Sequence, residues 1–161
     1  MKKYLLIVLL FCFGTGTYAQ SISFFDLTNL TNLSDGQAHN YLTLGKVFKH
    51  QYIETVDGKR IEHFRSMNPK LKEQNITIGV NTILQNGTVL RTITYTTLEP
   101  QYVINLIGQA KRSKFTLKFQ GVDNDNNIFV FDNEFYRVDM YISTTNNKAM
   151  VKVNQKEFVG Y

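Results

Sequence analysis

Residues 75–97 read NITIGVNTILQNGTVLRTITYTT, and the fold turns on this stretch. Ile76, Ile78 and Val80 alternate with other residues on one arm, Val89, Ile93 and Tyr95 on the other, and Asn86-Gly87 lies between. A period of two puts apolar side chains on one side of an extended strand and leaves the other side to water. Asn-Gly takes the positive φ angles of a tight turn at little cost. The stretch is therefore an antiparallel hairpin, residues 75–84 against 88–97, with one face in need of a cover.

The cover follows at once. Residues 98–113 carry Tyr102, Val103, Leu106, Ile107 and Ala110 at intervals of one, three and four, a stripe along one side of a helix. Pro100 stands in its first turn, where a missing N–H costs nothing. Gln101, Asn105, Gln109 and Arg112 form the expected wet side. Beyond it, strands are expected over 115–121, 127–131, 134–143 and 148–153, separated by turns at Asp123-Asn124-Asp125-Asn126, Asp132-Asn133 and Thr145-Asn146-Asn147.

Upstream of the hairpin, residues 46–55 and 60–66 read as two strands joined by Val56-Asp57-Gly58-Lys59, since Asp-Gly suits a two-residue turn. Residues 67–74, with Pro69, make a polar loop. Ser34-Asp35-Gly36-Gln37 is a capping box opening a short helix through Leu44, with Ala38, Tyr41 and Leu42 on one face and Leu33 stapled ahead of it. Gly45 is expected to end that helix in the left-handed conformation. Residues 21–33 read either as an edge strand with a turn or as the lead into a helix.

The resulting order is helix, four strands, helix, four strands. It predicts a single α+β domain over 20–161, built as two αββββ units over about 34–97 and 98–153, with two helices packed on a mainly antiparallel sheet. The 12 Phe and 9 Tyr, with no Trp, suit such a sheet with one solvated face.

The N-terminus predicts export. Met1-Lys2-Lys3 is cationic, residues 4–13 are uncharged and apolar, and Thr17 and Ala19 form a small-x-small pair, as in a cleavable signal peptide over residues 1–19. The apolar run is too short to span a bilayer, which takes about twenty residues. Phe11 is too bulky to precede a lipidated Cys12. Cys12, the only cysteine, leaves with the leader, so neither disulfides nor thiolate metal sites are expected. A chain of about 140 residues buries enough surface to stand without them. Loss of Lys2 and Lys3 from the 18 Lys and Arg leaves 16 against 13 Asp and Glu, a net charge of +3. The densest basic stretch, Lys111, Arg112, Lys114 and Lys118, straddles a helix end, where cations meet the helix dipole. No nucleic-acid partner is expected, nor any transmembrane segment once the leader is removed.

Tyr95-Thr96-Thr97, Tyr102, Ile107, Phe115, Phe131 and Tyr136-x-Val138 together resemble a group of small exported Gram-negative envelope proteins with no assigned activity. The element order is similar to the duplicated helix-plus-four-strand folds of β-lactamase-inhibitor-like and small outer-membrane assembly proteins. The resemblance implies that fold and an envelope location, and it brings no catalytic residues.

Two clusters invite a metal reading. Asp123, Asp125, Asn127 and Glu134 occupy positions one, three, five and twelve of a calcium loop. Ile128 stands where that loop needs glycine, and Phe129-Val130-Phe131 reads as strand, so the segment is expected to be a hairpin. His50, Glu54 and His63 form the second cluster. If Asp57-Gly58 closes a two-residue turn, paired residues sum to 115, Tyr52 faces His63, His50 faces Arg65, and these groups share one sheet face. Two imidazoles and a carboxylate are zinc ligands, but Arg65 would set a cation beside the metal, and aromatic–His pairing is the reading preferred. His39 is expected at the surface or rim. No metal, cofactor or catalytic residue is assigned. A nucleophile elbow and phosphate-binding glycine loops are absent from the sequence.

The expected function is that of an exported, non-enzymatic binding module in the periplasm or outside the cell, its partner another envelope or extracellular protein. The alternative is a secreted hydrolase whose carboxylates converge only in the fold.

Overall fold

The computed structural model describes residues 22–158. The leader expected over residues 1–19 lies outside the described residues. Three helices and eight strands follow in the order α1 (Phe24–Leu30), α2 (Asp35–Leu44), β1 (Phe48–Val56), β2 (Lys59–Ser66), β3 (Gln74–Ile83), β4 (Val89–Thr97), α3 (Pro100–Arg112), β5 (Thr116–Val122), β6 (Asn126–Asp132), β7 (Tyr136–Ser143) and β8 (Ala149–Gln155).

All eight strands join one antiparallel sheet, ordered β1-β2-β3-β4-β8-β7-β6-β5. Two four-stranded meanders therefore meet along β4 and β8, where Thr92–Thr97 pairs with Asn154–Ala149. The three helices pack on one side of the sheet: α2 on β1 and β3, α3 on β7 and β8, and α1 against α3 and β4. The α+β class and antiparallel sheet expected from the sequence are present. The twofold use of one αββββ unit is not established by this arrangement, since two helices precede the first meander and one precedes the second.

The additional helix is α1. Ser23 and Asp26 form a reciprocal capping box there, with the Ser23 hydroxyl accepting from the Asp26 N–H while the Asp26 carboxylate accepts from the Ser23 N–H. Phe24, Leu27 and Leu30 are fully buried. The edge-strand alternative for residues 21–33 is thus corrected. Gly45 is corrected as well: it keeps right-handed φ of −71°, and Lys46 takes the left-handed position at φ 50°.

Helix α3 lies as its periodicity requires, with Tyr102, Val103, Leu106, Ile107 and Ala110 buried. Gln109, expected on the wet side, instead accepts the Phe24 N–H at 2.8 Å and so satisfies an orphan donor in the first turn of α1. The core is one cluster drawn from both meanders, including Phe64, Ile76, Ile78, Ile93 and Tyr95 from the first and Phe131, Val138, Met140, Val151 and Val153 from the second. Tyr95, wholly buried, donates to Gln74 Oε1 at 3.0 Å.

Three β-bulges shape the sheet, in β1 between His50 and Tyr52, in β3 between Thr77 and Val80, and in β5 between Leu117 and Phe119. Two of them lie in the edge strands, where a bulge discourages pairing with another chain. The central one needs Gly79, at φ +93°, because a Cβ there would collide with the carbonyl oxygen of Arg60.

Candidate functional site

The sheet has one face under helices and one face without them. Register assigns the side chains. On the helix-free face lie Tyr52 and Glu54 of β1, His63 and Arg65 of β2, Asn75 and Thr77 of β3, and Thr92, Thr94 and Thr96 of β4. They continue through Met150 and Lys152 of β8 and Asp139 and Tyr141 of β7. The half-buried Tyr141 and Met150, directly paired, put apolar surface next to the threonine row.

A cavity of about 630 Å³ opens on this face, lined by Glu73, Asn75, Thr96, Leu98, Tyr141 and Met150, with Asn126 and Lys148 among its remaining walls. It crosses five neighbouring strands, β3, β4, β8, β7 and β6, roughly 19 Å at the usual strand spacing, and is centred on the seam between the meanders. Its volume falls in the range of about 300 to 1,000 Å³ typical of small-molecule sites. The carboxylate of Glu73 is occupied by Arg65 Nη2 at 2.8 Å and by the Asn75 amide at 3.0 Å. Lys148 Nζ has no carboxylate partner among the described residues, and the hydroxyls of Tyr141 and Thr96 have no hydrogen-bond partner there.

Other carboxylates of this face also have partners. Glu54 meets His63 Nε2 at 3.2 Å, Glu73 meets Arg65, Asp132 meets Lys156 Nζ at 3.1 Å, and Asp139 meets Arg137 Nε at 3.0 Å. Glu73, Asp132 and Asp139 are each paired with a cation, Glu54 is hydrogen-bonded to an imidazole, and Lys152 stands opposite Asp139 in the register, whereas Lys148 has no carboxylate within ion-pair distance among the described residues. Lys148 thus leaves one unpaired positive charge beside the apolar floor of the cavity.

The predicted site residues distribute differently. His63 and Tyr52 pair as expected, their rings stacked at 4.3 Å, with Thr77 Oγ1 3.1 Å from His63 Nδ1. His50 does not join them. The bulge after it pairs His50 with Phe64 instead of Arg65, and a one-residue slip turns the side chain to the other face. His50, Glu54 and His63 therefore stand on opposite sides of the sheet and do not form one ligand set.

On the helix-covered face His50 meets residues that the sequence did not join to it. Glu62 of β2, with its side chain 8 % exposed, is bonded by His39 Nδ1 of α2 at 2.7 Å and by Arg60 Nε at 3.1 Å, and His50 Nε2 stands 3.7 Å from it. Burial pushes the Glu62 carboxyl up. The His39 hydrogen bond and the charges of Arg60, His39 and His50 outweigh it, so the group titrates below its ordinary range. His50 Nε2 is buried without a hydrogen-bond partner among the described residues. His39, expected at the rim, is the link between α2 and this carboxylate. The only sequence signal was Glu62 sharing a strand face with Phe64, and a residue 23 positions away on a helix is invisible to strand periodicity. His39 and Glu62 are neighbours across an element contact, and Arg60 already occupies the other oxygen of Glu62, an arrangement that holds α2 to the sheet.

Asp123, Asp125, Asn127 and Glu134 are not brought together. Asp123 caps the β5–β6 turn, its Oδ1 accepting from the Asp125 N–H at 2.8 Å and the Asn126 N–H at 2.6 Å. The Asp125 backbone N–H lowers its pKa most; desolvation opposes this, and the Asn126 backbone and side-chain amides add to the lowering. Glu134 lies in the β6–β7 turn at the far end of the seven-residue β6, roughly 20 Å away at about 3.3 Å per residue. Among the described residues no group of three or more His, Cys, Asp or Glu side chains is placed to hold a metal ion. No helix among them is long and apolar enough to cross a membrane.

Compared with protein-family models, with curated proteins and with solved structures, the chain has no match.

Proposed function

We propose that this protein is an exported binding module of the bacterial envelope that engages its partner with the helix-free face of the sheet. The observation that carries the reading is the ≈ 630 Å³ cavity on that face, centred on the seam where the two meanders meet. Helices cover the other face, so this is the broad strand surface left free to receive a partner. Its apolar centre, threonine row and unpaired Lys148 suit binding, in which shape and charge are matched without a bond being broken. The export half of the reading rests on the three-part N-terminus. The hydrolase alternative needs two carboxylates flanking one scissile bond, and Glu54, Glu62, Glu73, Asp132 and Asp139 are each directed to a cationic or imidazole partner instead.

The test is capture from envelope extract with tagged mature protein, compared with a Tyr141→Asp/Met150→Asp variant of unchanged circular dichroism. The expected result is one partner retained by the native face and lost by the variant. Identical capture by both, or a chain whose intact mass after expression still includes residues 1–19, would overturn the reading.

A further inference from the structure

We propose that the cavity on the helix-free face is a site for a small amphipathic anion, a molecule with an aromatic or aliphatic body and one carboxylate, sulfonate or phosphate group. The inference deepens the binding reading above and rests on it. Three observations converge. The floor is apolar, from Leu98, Tyr141 and Met150, and the cavity's volume suits a drug-sized molecule. The wall carboxylate, Glu73, is consumed by Arg65 and Asn75, which removes the one group there able to hold a cation. Lys148 stands free on the wall, just ahead of β8 and two residues from Met150, and the Tyr141 and Thr96 hydroxyls, on the residues paired with Met150, are free to donate. A cation and two hydroxyl donors around an apolar floor complement an anion with an apolar body.

The charge argument also decides against the opposite ligand. A cationic ligand would have to displace Arg65 from Glu73 and approach the free Lys148, losing one ion pair and meeting one repulsion. An anionic ligand breaks nothing.

The test uses two dyes of similar shape on the mature protein, the anionic 8-anilinonaphthalene-1-sulfonate and the uncharged N-phenyl-1-naphthylamine. Fluorescence titration of the native protein is expected to show saturable one-to-one binding of the sulfonate, tighter than that of the neutral dye. Lys148→Gln, at an exposed position that leaves the fold intact, is expected to weaken the sulfonate about tenfold, the loss of one charge-assisted contact, and to leave the neutral dye within twofold. Met150→Asp is expected to abolish both. Equal affinity of the Lys148→Gln variant for the sulfonate, or tighter binding of the neutral dye by the native protein, would overturn the inference. Failure with both dyes while capture still depends on Tyr141 and Met150 overturns the ligand class alone. Failure of both experiments overturns the binding reading with it.

Discussion

Glu62 concentrates the electrostatics of the first meander in one carboxylate. Its partners come from three elements: Arg60 from its own strand, His50 from β1 and His39 from α2. The net effect lowers its pKa below the ordinary 4.5, so the folded state prefers the ionised form. The sign follows from linkage. A carboxyl depressed on folding contributes stability that is present above pH 4.5 and is lost as the pH falls through the folded-state value. Glu62→Gln is therefore expected to cost about 1 to 2 kcal/mol at neutral pH, discounted because Arg60 and His39 are partly solvated. The gap between native and variant urea midpoints should close below pH 4.5. A gap that stays constant to pH 3 would mean that the carboxylate charge contributes nothing. Little of this cluster was legible beforehand. The Tyr52–His63 pairing followed from Asp57-Gly58 alone, because a two-residue turn sets the register next to it. The bulge at Gln51, three residues before Glu54, leaves no mark in composition, and it decides the face on which His50 stands.

At the scale of the element, legibility tracks length and period. Helix α3 and all eight strands lie within a few residues of their expected positions, because a 13-residue amphipathic stripe and alternating β-branched runs between Asn, Asp and Gly turns are strong local signals. Helix α1 has seven residues, fewer than two full turns, and its capping box Ser23-Phe24-Phe25-Asp26 is its main local mark. The wet side of α3 held one exception, Gln109, whose bond to the Phe24 N–H depends on a helix 85 positions away. The stripe itself leads to a stability prediction. Leu106 is wholly buried beneath α3, and deleting its side chain removes transfer free energy and leaves a cavity, about 2 to 5 kcal/mol together. Asn105, exposed one position earlier, makes only a surface bond to Gln101. Leu106→Ala should lower the denaturant midpoint strongly, while Asn105→Ala should shift stability by no more than about 0.5 kcal/mol. Equal small effects would show that α3 does not anchor the sheet.

For the whole molecule the question is whether the two meanders stand alone or stand together. Each has four strands and enough alternating apolar residues to suggest a unit, which is why the element order reads as a repeat. The seam argues that they fold as one. Six residue pairs join β4 to β8, and Ile93 and Tyr95 on one side face Val153 and Val151 on the other, all within 2 % of full burial. Separation would expose these side chains along with two strand edges, whose unpaired N–H and C=O groups would lose the ladder. Helix α1 ties the halves further, packing against both β4 and α3, with its Phe24 N–H bonded to Gln109. A core continuous across the seam predicts a single cooperative transition, as for most domains of this size. Phe64→Ala, in the first meander, and Val138→Ala, in the second, should each lower the same midpoint. Circular dichroism and tyrosine fluorescence should remain superimposed in both variants, since Tyr95 and Tyr102 report from the core near the seam and helicity reports from all three helices. Two resolved transitions, or a Val138→Ala variant in which amides of β1–β3 keep native hydrogen-exchange protection while those of β5–β7 lose it, would mean that the meanders are separable units. The cavity at the seam, which needs walls from both, would then form only when they dock.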